Sequence, residues 1–157
     1  MIGIGQGVIV ARRASGRPNW FAILQAPQNI AFPSGDDVAQ LVASRTFLHS
    51  LRDENALLDT RFRLAPNVRL EQVSQAVDGS WRQVSGKLHR VGGLEYSGIL
   101  DGESAAMLAR FDGQRPIREY LQHLAAAVNA DPATFVPSTL PIIRRLVEQG
   151  FLLPPDD

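Results

Sequence analysis

The first half of the chain is patterned mainly for β-strands. Short runs rich in branched and aromatic residues, bounded by glycine and proline, are typical of strands. They predict strands at Val8–Arg12, Trp20–Leu24 and Ile30–Phe32. Two further strand-like runs flank Asp78-Gly79, a pair that favours the tight turn of a hairpin. The pattern therefore predicts antiparallel hairpins in this half.

One or two short helices interrupt these strands. Ser34 can cap a helix that has Asp36-Asp37 in its first turn, because acidic side chains favour the positive end of the helix dipole. From Val38 onward, apolar residues recur at helical spacing. A second short helix is predicted over Arg52–Leu58.

The last third of the chain changes to helical periodicity. A strand at Leu94–Leu100 is followed by three helices, which we expect to begin at Asp101, Pro116 and Asp131. Aspartate caps free N–H groups, and proline suits the first helical turn. A short apolar strand at Phe151–Leu153 ends the series. The order of strand, three helices and strand predicts a winged helix-turn-helix.

Two prolines modify the third helix of this series. Pro137 and Pro141 lack the N–H group that a helix interior requires. We therefore predict a break at Pro137. The longest uninterrupted helical piece would begin near Ser138, with Pro141 in its first turn, and end at Gly150.

Together these patterns predict an α+β protein of two parts. Residues 1–91 form a β-rich subdomain with one or two short helices, and residues 92–157 form the winged-helix subdomain. The first part carries 11 basic and 7 acidic residues, whereas the second carries 5 and 9. The acidic balance of the second part argues against phosphate binding as its main task and makes nucleic acid an unfavoured partner.

The composition indicates a compartment. The chain of 157 residues has no cysteine, which fits a reducing cytoplasm. Its N-terminus lacks the pattern of a signal peptide, and no apolar run approaches the roughly 18 residues of a membrane span. We expect a cytoplasmic protein without a membrane partner.

No arrangement of residues in the sequence identifies a catalytic or metal site. His49, His89 and His123 do not have the spacing of metal ligands. A Gly-x-Ser-x-Gly nucleophile motif is absent. We predict no catalytic residue, no metal and no cofactor on this chain, and whether the protein is an enzyme stays open.

Four residues are candidates for contact with a partner: Arg144, Arg145, Arg118 and Tyr96. Arg144 and Arg145 lie on the third helix, which reads DNA in helix-turn-helix proteins. They fit three roles: DNA contact, ordinary solvation or ion pairing, and clamping of an acidic protein or peptide, because guanidinium suits carboxylates. For Tyr96, on the strand before the first helix, the alternative is packing in the core.

The stretch from Leu100 to Leu153 resembles winged-helix domains that recognise peptides, such as the peptide chaperone of pyrroloquinoline quinone biosynthesis. The resemblance rests on three motifs, FDG at Phe111–Gly113, RPIRE at Arg115–Glu119 and LVEQGFL at Leu146–Leu152. It implies that a peptide adds as a strand to the sheet edge beside the third helix.

A larger part, roughly Val8 to Pro154, resembles the region that follows the catalytic domain in some bacterial class I S-adenosylmethionine-dependent methyltransferases. The motifs RPNWFAILQAP, FPSGDDVAQLV and RFRLAPNVRLEQV carry it, together with the winged-helix tail. The chain departs from these enzymes because GIGQG at Gly3–Gly7 does not match their cofactor loop, and 157 residues leave no room for their Rossmann-like sheet. The resemblance implies S-adenosylmethionine only for a parent catalytic domain.

These observations lead to three hypotheses. The first is a non-catalytic accessory domain of a methyltransferase, which recognises a substrate or protein partner or mediates self-association as a homodimer. The second is a stand-alone peptide-binding domain with an open strand edge near Leu94–Leu100. The third is a winged-helix transcription regulator.

Overall fold

The computed structural model of the chain describes residues 9–11, 20–27, 30–31 and 35–155. Over these residues all strand pairs are antiparallel, so the α+β class is confirmed. No helix in this part of the chain is long and apolar enough to cross a membrane. The elements follow in the order α1 (Gly35–Ser50), α2 (Glu54–Leu58), β1 (Arg63–Leu64), β2 (Val68–Val77), β3 (Ser80–Arg90), β4 (Ser97–Leu100), α3 (Gly102–Leu108), α4 (Ile117–Ala127), α5 (Pro132–Glu148) and β5 (Leu152–Leu153).

The strands β2 and β3 form the long hairpin that the Asp78-Gly79 pair predicts. Asp78 and Gly79 have φ angles of 49° and 77°, and a two-residue turn of this kind requires positive φ at both positions. β4 pairs with the base of β3, which gives the sheet order β2-β3-β4. Most of β2 and the far half of β3 are exposed, so the hairpin projects from the body of the molecule.

The core lies between the helices and the base of the hairpin. Its most deeply buried side chains come from both sides of residue 91. β1 and β5 pair with each other beside this core, with Leu64 opposite Leu152. The boundary at residue 91 stays a prediction. Five of the fully buried side chains are Phe62, Leu121, Ile143, Val147 and Phe151.

Capping residues start and end the helices largely as the sequence predicts. Asp101 and Asp131 are the N-caps of α3 and α5, where each carboxylate accepts a backbone N–H bond from the first turn. At the other end of α5, Gly150 has a φ of 74°. The N–H of Phe151 donates to the carbonyl of Leu146, which closes the helix in a Schellman arrangement.

The predicted break of α5 at Pro137 is wrong. The helix runs without interruption from Pro132 to Glu148, with Pro137 and Pro141 inside it. Both prolines are exposed, as is Ala133, so the carbonyls that lose an N–H partner lie on the solvent side. The opposite face, which includes Val136 and Ile143, is buried against the core and holds the helix together.

The predicted strand at Trp20–Leu24 is also wrong, because residues 20–27 have no secondary structure. This segment lies against side chains of α1 and α5 instead of a sheet edge, and a strand needs a hydrogen-bonding neighbour. Residues 9–11 form no strand either, and Ile30 makes only a single bridge to Leu94. Val8, Arg12 and Phe32, which belong to the same predictions, lie outside the described residues, as does Ser34, the predicted cap of the first helix.

The helices α3, α4 and α5 follow one another between β4 and β5, in the predicted order. β4 begins at Ser97, later than predicted, and β5 pairs with β1 instead of β4. The winged helix-turn-helix therefore stays a prediction.

Candidate functional site

An open cleft of about 320 Å³ lies between α1, α5 and residues 20–27, and we call it the arginine cleft. It brings together three of the four predicted contact residues, Arg144, Arg145 and Tyr96. The fourth, Arg118, lies elsewhere. The cleft is lined by Ile23, Leu24, Gln25, Arg45, Tyr96, Pro141, Arg144, Arg145, Glu148 and Gln149.

α5 positions three of the four charged groups of the cleft. Pro141, Arg144 and Glu148 lie three and four residues apart, so they share one face of the helix, next to Arg145. Arg144 and Arg145 are exposed and make no hydrogen bond or ion pair within the described ranges of the chain. Two positive charges without an ion-pair partner among the described residues therefore border the cleft.

α1 contributes a third guanidinium group, Arg45. Its side chain is only 13% exposed, and its Nη2 lies 3.4 Å from Oε2 of Glu148. Its Nε is buried and has no hydrogen-bond partner in the part of the chain that the structure describes. Sequence reasoning missed Arg45, because it lies 103 positions from Glu148 and no local pattern distinguishes it.

Tyr96 packs in the core and also lines the cleft. Its position therefore fits both roles that the sequence left open for it, packing in the core and contact with a partner. Its hydroxyl donates to the backbone carbonyl of Gln25 at 3.2 Å. Burial raises the pKa of this hydroxyl above its ordinary value of 10.0, although the positive charges of Arg45 and Arg90 act in the opposite direction. Tyr96 is therefore a neutral hydrogen-bond donor at neutral pH.

Residues 20–27 cover one side of the cleft. The ring of Trp20 stacks on His49 of α1, with ring centroids 5.2 Å apart and planes 9° from parallel. Together with the bond from Tyr96 to Gln25, this contact fixes the path of the segment. Phe21 and Ile23 nevertheless remain 85% and 84% exposed, so the segment presents apolar side chains to solvent beside the arginines.

A fourth arginine, Arg90, lies next to the cleft in a closed environment, which we call the Arg90 cluster. Arg90 is 3% exposed, and it donates to the carboxylate of Asp37 and to the carbonyl of Gln149 at 3.3 Å. The other oxygen of Asp37 accepts the N–H of Leu94 at 2.8 Å. Asp37 was predicted to favour the helix dipole, but it also connects α1 to the turn at Gly93.

Arg118 lies in a separate groove between α2, α4 and α5. Its guanidinium donates to Asp59 twice, at 3.1 Å each, and to Asn55 at 3.3 Å. These contacts join α4 to the end of α2. The structure thus places Arg118 in an ion pair away from the other three candidates.

Within the described ranges, no group of three histidine, cysteine, aspartate or glutamate side chains is placed to hold a metal ion. The expectations of no metal, no cofactor and no catalytic residue on this chain stay predictions.

The family model of a domain of unknown function, DUF7782, matches residues 39–154. The chain belongs to the DUF7782 family. The matched region includes Arg45, Tyr96, Arg144 and Arg145, whereas the segment of residues 20–27 precedes it. No curated protein matches the chain.

Proposed function

We propose that this DUF7782 domain is a non-catalytic accessory domain of an S-adenosylmethionine-dependent methyltransferase, and that it recognises a polypeptide substrate or partner at the arginine cleft. The single observation that carries the recognition role is the pair Arg144 and Arg145, which border an open cleft without an acidic partner in the described residues. The association with a methyltransferase is supported by the resemblance of roughly Val8 to Pro154.

The chemistry of the cleft favours binding over proton transfer. Guanidinium groups keep their charge throughout the physiological pH range, so Arg45, Arg144 and Arg145 cannot act as general acids or bases there. Tyr96, whose pKa is raised by burial, stays protonated as well. The cleft can donate hydrogen bonds to an anionic group and orient it.

The proposal is tested in the complete methyltransferase that carries or accompanies this chain. Changing both exposed arginines, Arg144→Glu and Arg145→Glu, should raise KM for the methyl acceptor by about tenfold or more, since hydrogen bonds to charged groups contribute about 1.5–3 kcal/mol each. The affinity for S-adenosylmethionine should not change. Steady-state kinetics and calorimetry measure the two quantities.

Arg118→Glu is the matched control, because it makes the same kind of charge change outside the cleft and should leave KM unchanged. The accessory role would be contradicted by an unchanged KM in the cleft variant. It would also be contradicted if this chain alone bound S-adenosylmethionine stoichiometrically in calorimetry.

A stand-alone peptide-binding domain is the second candidate, and the outer edge of β4 favours it. In the sheet order β2-β3-β4, no described strand pairs with that edge. A peptide that lies in the cleft beside Tyr96 can continue along β4 and add a strand there. Amide hydrogen exchange of Ser97–Leu100 should then slow on peptide binding, and unchanged exchange would exclude this mode.

A further inference from the structure

Arg45 is a largely buried cation with few hydrogen-bond partners among the described residues. A guanidinium has five N–H donors, and charge-assisted bonds to carboxylates are normally about 2.7–2.9 Å long. Arg45 has one contact, at 3.4 Å, and its buried Nε has no partner among the described residues. Buried charges are normally paired and fully hydrogen-bonded, so Arg45 has capacity for a stronger acceptor.

Glu148 is in a position to give way to such an acceptor. Its side chain is 32% exposed and lies in the last turn of α5, at the edge of the cleft. A carboxylate in this position can turn into water at little cost, because a partly exposed ion pair contributes only about 0–1 kcal/mol. The geometry therefore allows one carboxylate to replace another at Arg45.

We propose that the arginine cleft binds an acidic peptide segment by carboxylate exchange: a ligand carboxylate displaces Glu148 from Arg45, and Arg144 and Arg145 bind neighbouring acidic groups. Three guanidinium groups face one carboxylate in the cleft, so its charge complements an anionic ligand. This inference names the ligand chemistry of the recognition site put forward under the proposed function and rests on it.

The apolar residues that line the cleft favour a peptide over a nucleic acid as its ligand. Ile23, Leu24 and Pro141 give the cleft an apolar wall beside its arginines. A segment in which acidic residues alternate with apolar ones would contact both kinds of surface. A nucleic-acid backbone would instead bring a high density of negative charge to residues 92–157, which carry 9 acidic and 5 basic residues.

The direct test is fluorescence anisotropy on the intact chain. The probe is a capped, fluorescein-labelled hexapeptide of alternating glutamate and leucine, compared with the same peptide in which glutamine replaces glutamate. The acidic peptide should bind at least about tenfold more tightly than its neutral counterpart. Arg144→Glu combined with Arg145→Glu should weaken binding by about tenfold or more, and Arg118→Glu should not.

The most specific variant is Glu148→Gln, which removes the internal competitor. It should tighten binding of the acidic peptide by several-fold, roughly the range that a surface ion pair allows. Glu119→Gln, which removes an exposed carboxylate from α4, is the control for overall charge and should have little effect. Far-UV circular dichroism confirms that each variant is folded.

Three results would overturn the inference. These are equal binding of the two peptides, an unchanged or weakened affinity in Glu148→Gln, and displacement of the peptide by inorganic phosphate or double-stranded DNA at lower concentration than by free acidic peptide. These measurements use the chain alone. The inference about peptide binding can therefore be confirmed even if the methyltransferase assay contradicts the accessory role.

Discussion

The Arg90 cluster and the arginine cleft use the same residue type in opposite ways. Arg90 and Arg45 are both largely buried near the C-terminal end of α5, with side chains 3% and 13% exposed. Arg90 binds a carboxylate and a carbonyl and lies against Gly150, where a Cβ atom would approach its Nη1 to 2.8 Å. Among the described residues, Arg45 has a single long contact, to a partly exposed glutamate. The Nε of each arginine is buried without a hydrogen-bond partner there, so the two side chains differ in the acceptors of their terminal nitrogens.

The difference shows what separates an arginine that holds the fold from one that is available to a ligand. Burial alone does not decide it, because both side chains are mostly buried. The number and geometry of internal acceptors, and whether they can move into solvent, distinguish the two. If this distinction holds, equivalent substitutions in the two regions should differ in their effect on stability, most strongly where a charge of the Arg90 cluster is removed.

Removing the charge of Arg90 should be strongly destabilising. Arg90→Met leaves the carboxylate of Asp37, whose side chain is 15% exposed, without its buried cation, which typically costs about 3–5 kcal/mol. Arg45→Met is the matched change in the cleft and should cost about 1 kcal/mol or less. Urea denaturation measures both free energies of unfolding. Equal losses in the two variants would remove the distinction between the two regions.

A glycine beside Asp37 should tolerate no side chain. In Gly93→Ala, the new Cβ would lie 1.3 Å from Oδ2 of Asp37, at a φ of 58°. The Asp37 carboxylate must then give up its hydrogen bond with the N–H of Leu94 or with Arg90. We expect the free energy of unfolding to fall by about 2–4 kcal/mol.

Gly92→Ala is the control for backbone strain alone. Its φ is 80°, but no atom lies within 4 Å of the added Cβ, so it should cost about 1–2 kcal/mol. If the two alanine variants lost equal stability in urea denaturation, contact with the Arg90 cluster would not explain the requirement for Gly93.

The hydroxyl of Tyr96 should ionise at a higher pH than that of an ordinary tyrosine. Tyr96 and Tyr120 are the two tyrosines of the chain, and burial raises the pKa of each above 10.0. Each hydroxyl has a higher pKa in the folded than in the unfolded state. Its contribution to the stability of the fold is therefore complete below pH 10 and is lost as the pH rises through the folded-state pKa. Absorbance titration should therefore show both hydroxyls ionising above 10 in the native protein and near the ordinary value in urea.

Tyr96→Phe should leave one titrating group and cost about 1 kcal/mol, since it removes one hydrogen bond, to Gln25. A native tyrosine ionising at or below 10, still present in Tyr120→Phe, would contradict the closed surroundings assigned to Tyr96.

The smallest effect on stability is expected for Glu148→Gln. The ion pair with Arg45 is long and partly exposed, so the variant should lose less than about 1 kcal/mol in urea denaturation. A loss comparable with that of Arg90→Met would mean that Arg45 and Glu148 form a structural pair, and the cleft would no longer be an open site.

The elements that depend on local sequence signals were predictable, whereas the features that depend on long-range contacts were not. The Asp78-Gly79 turn and the caps at Asp101 and Asp131 depend on residues within one turn of the chain, so the sequence indicates them directly. The continuity of α5 through Pro137 depends on a buried stripe that a local rule for proline does not include. Trp20–Leu24 has strand-like composition, but no described strand pairs with it.

The same division applies to the candidate site. Arg144 and Arg145 were predictable because their helix and its exposed face follow from periodicity. Arg45 and Arg90 were not, since each acquires its role from partners more than 50 positions away, Glu148 and Asp37. Arg118 shows the reverse case, in which a residue with the expected chemistry is already engaged by Asp59.

The Nε–H signals of Arg45 and Arg90 in ¹H–¹⁵N NMR spectra show directly whether a ligand reaches Arg45 and leaves Arg90 untouched. Each is assigned by its loss in the corresponding methionine variant, and the acidic hexapeptide is then titrated into the intact chain. The account predicts that the Arg45 signal shifts as its guanidinium gains a new acceptor, while the Arg90 signal stays in place. An Arg45 signal that does not move at saturating peptide, or an equal shift of both signals, would contradict it.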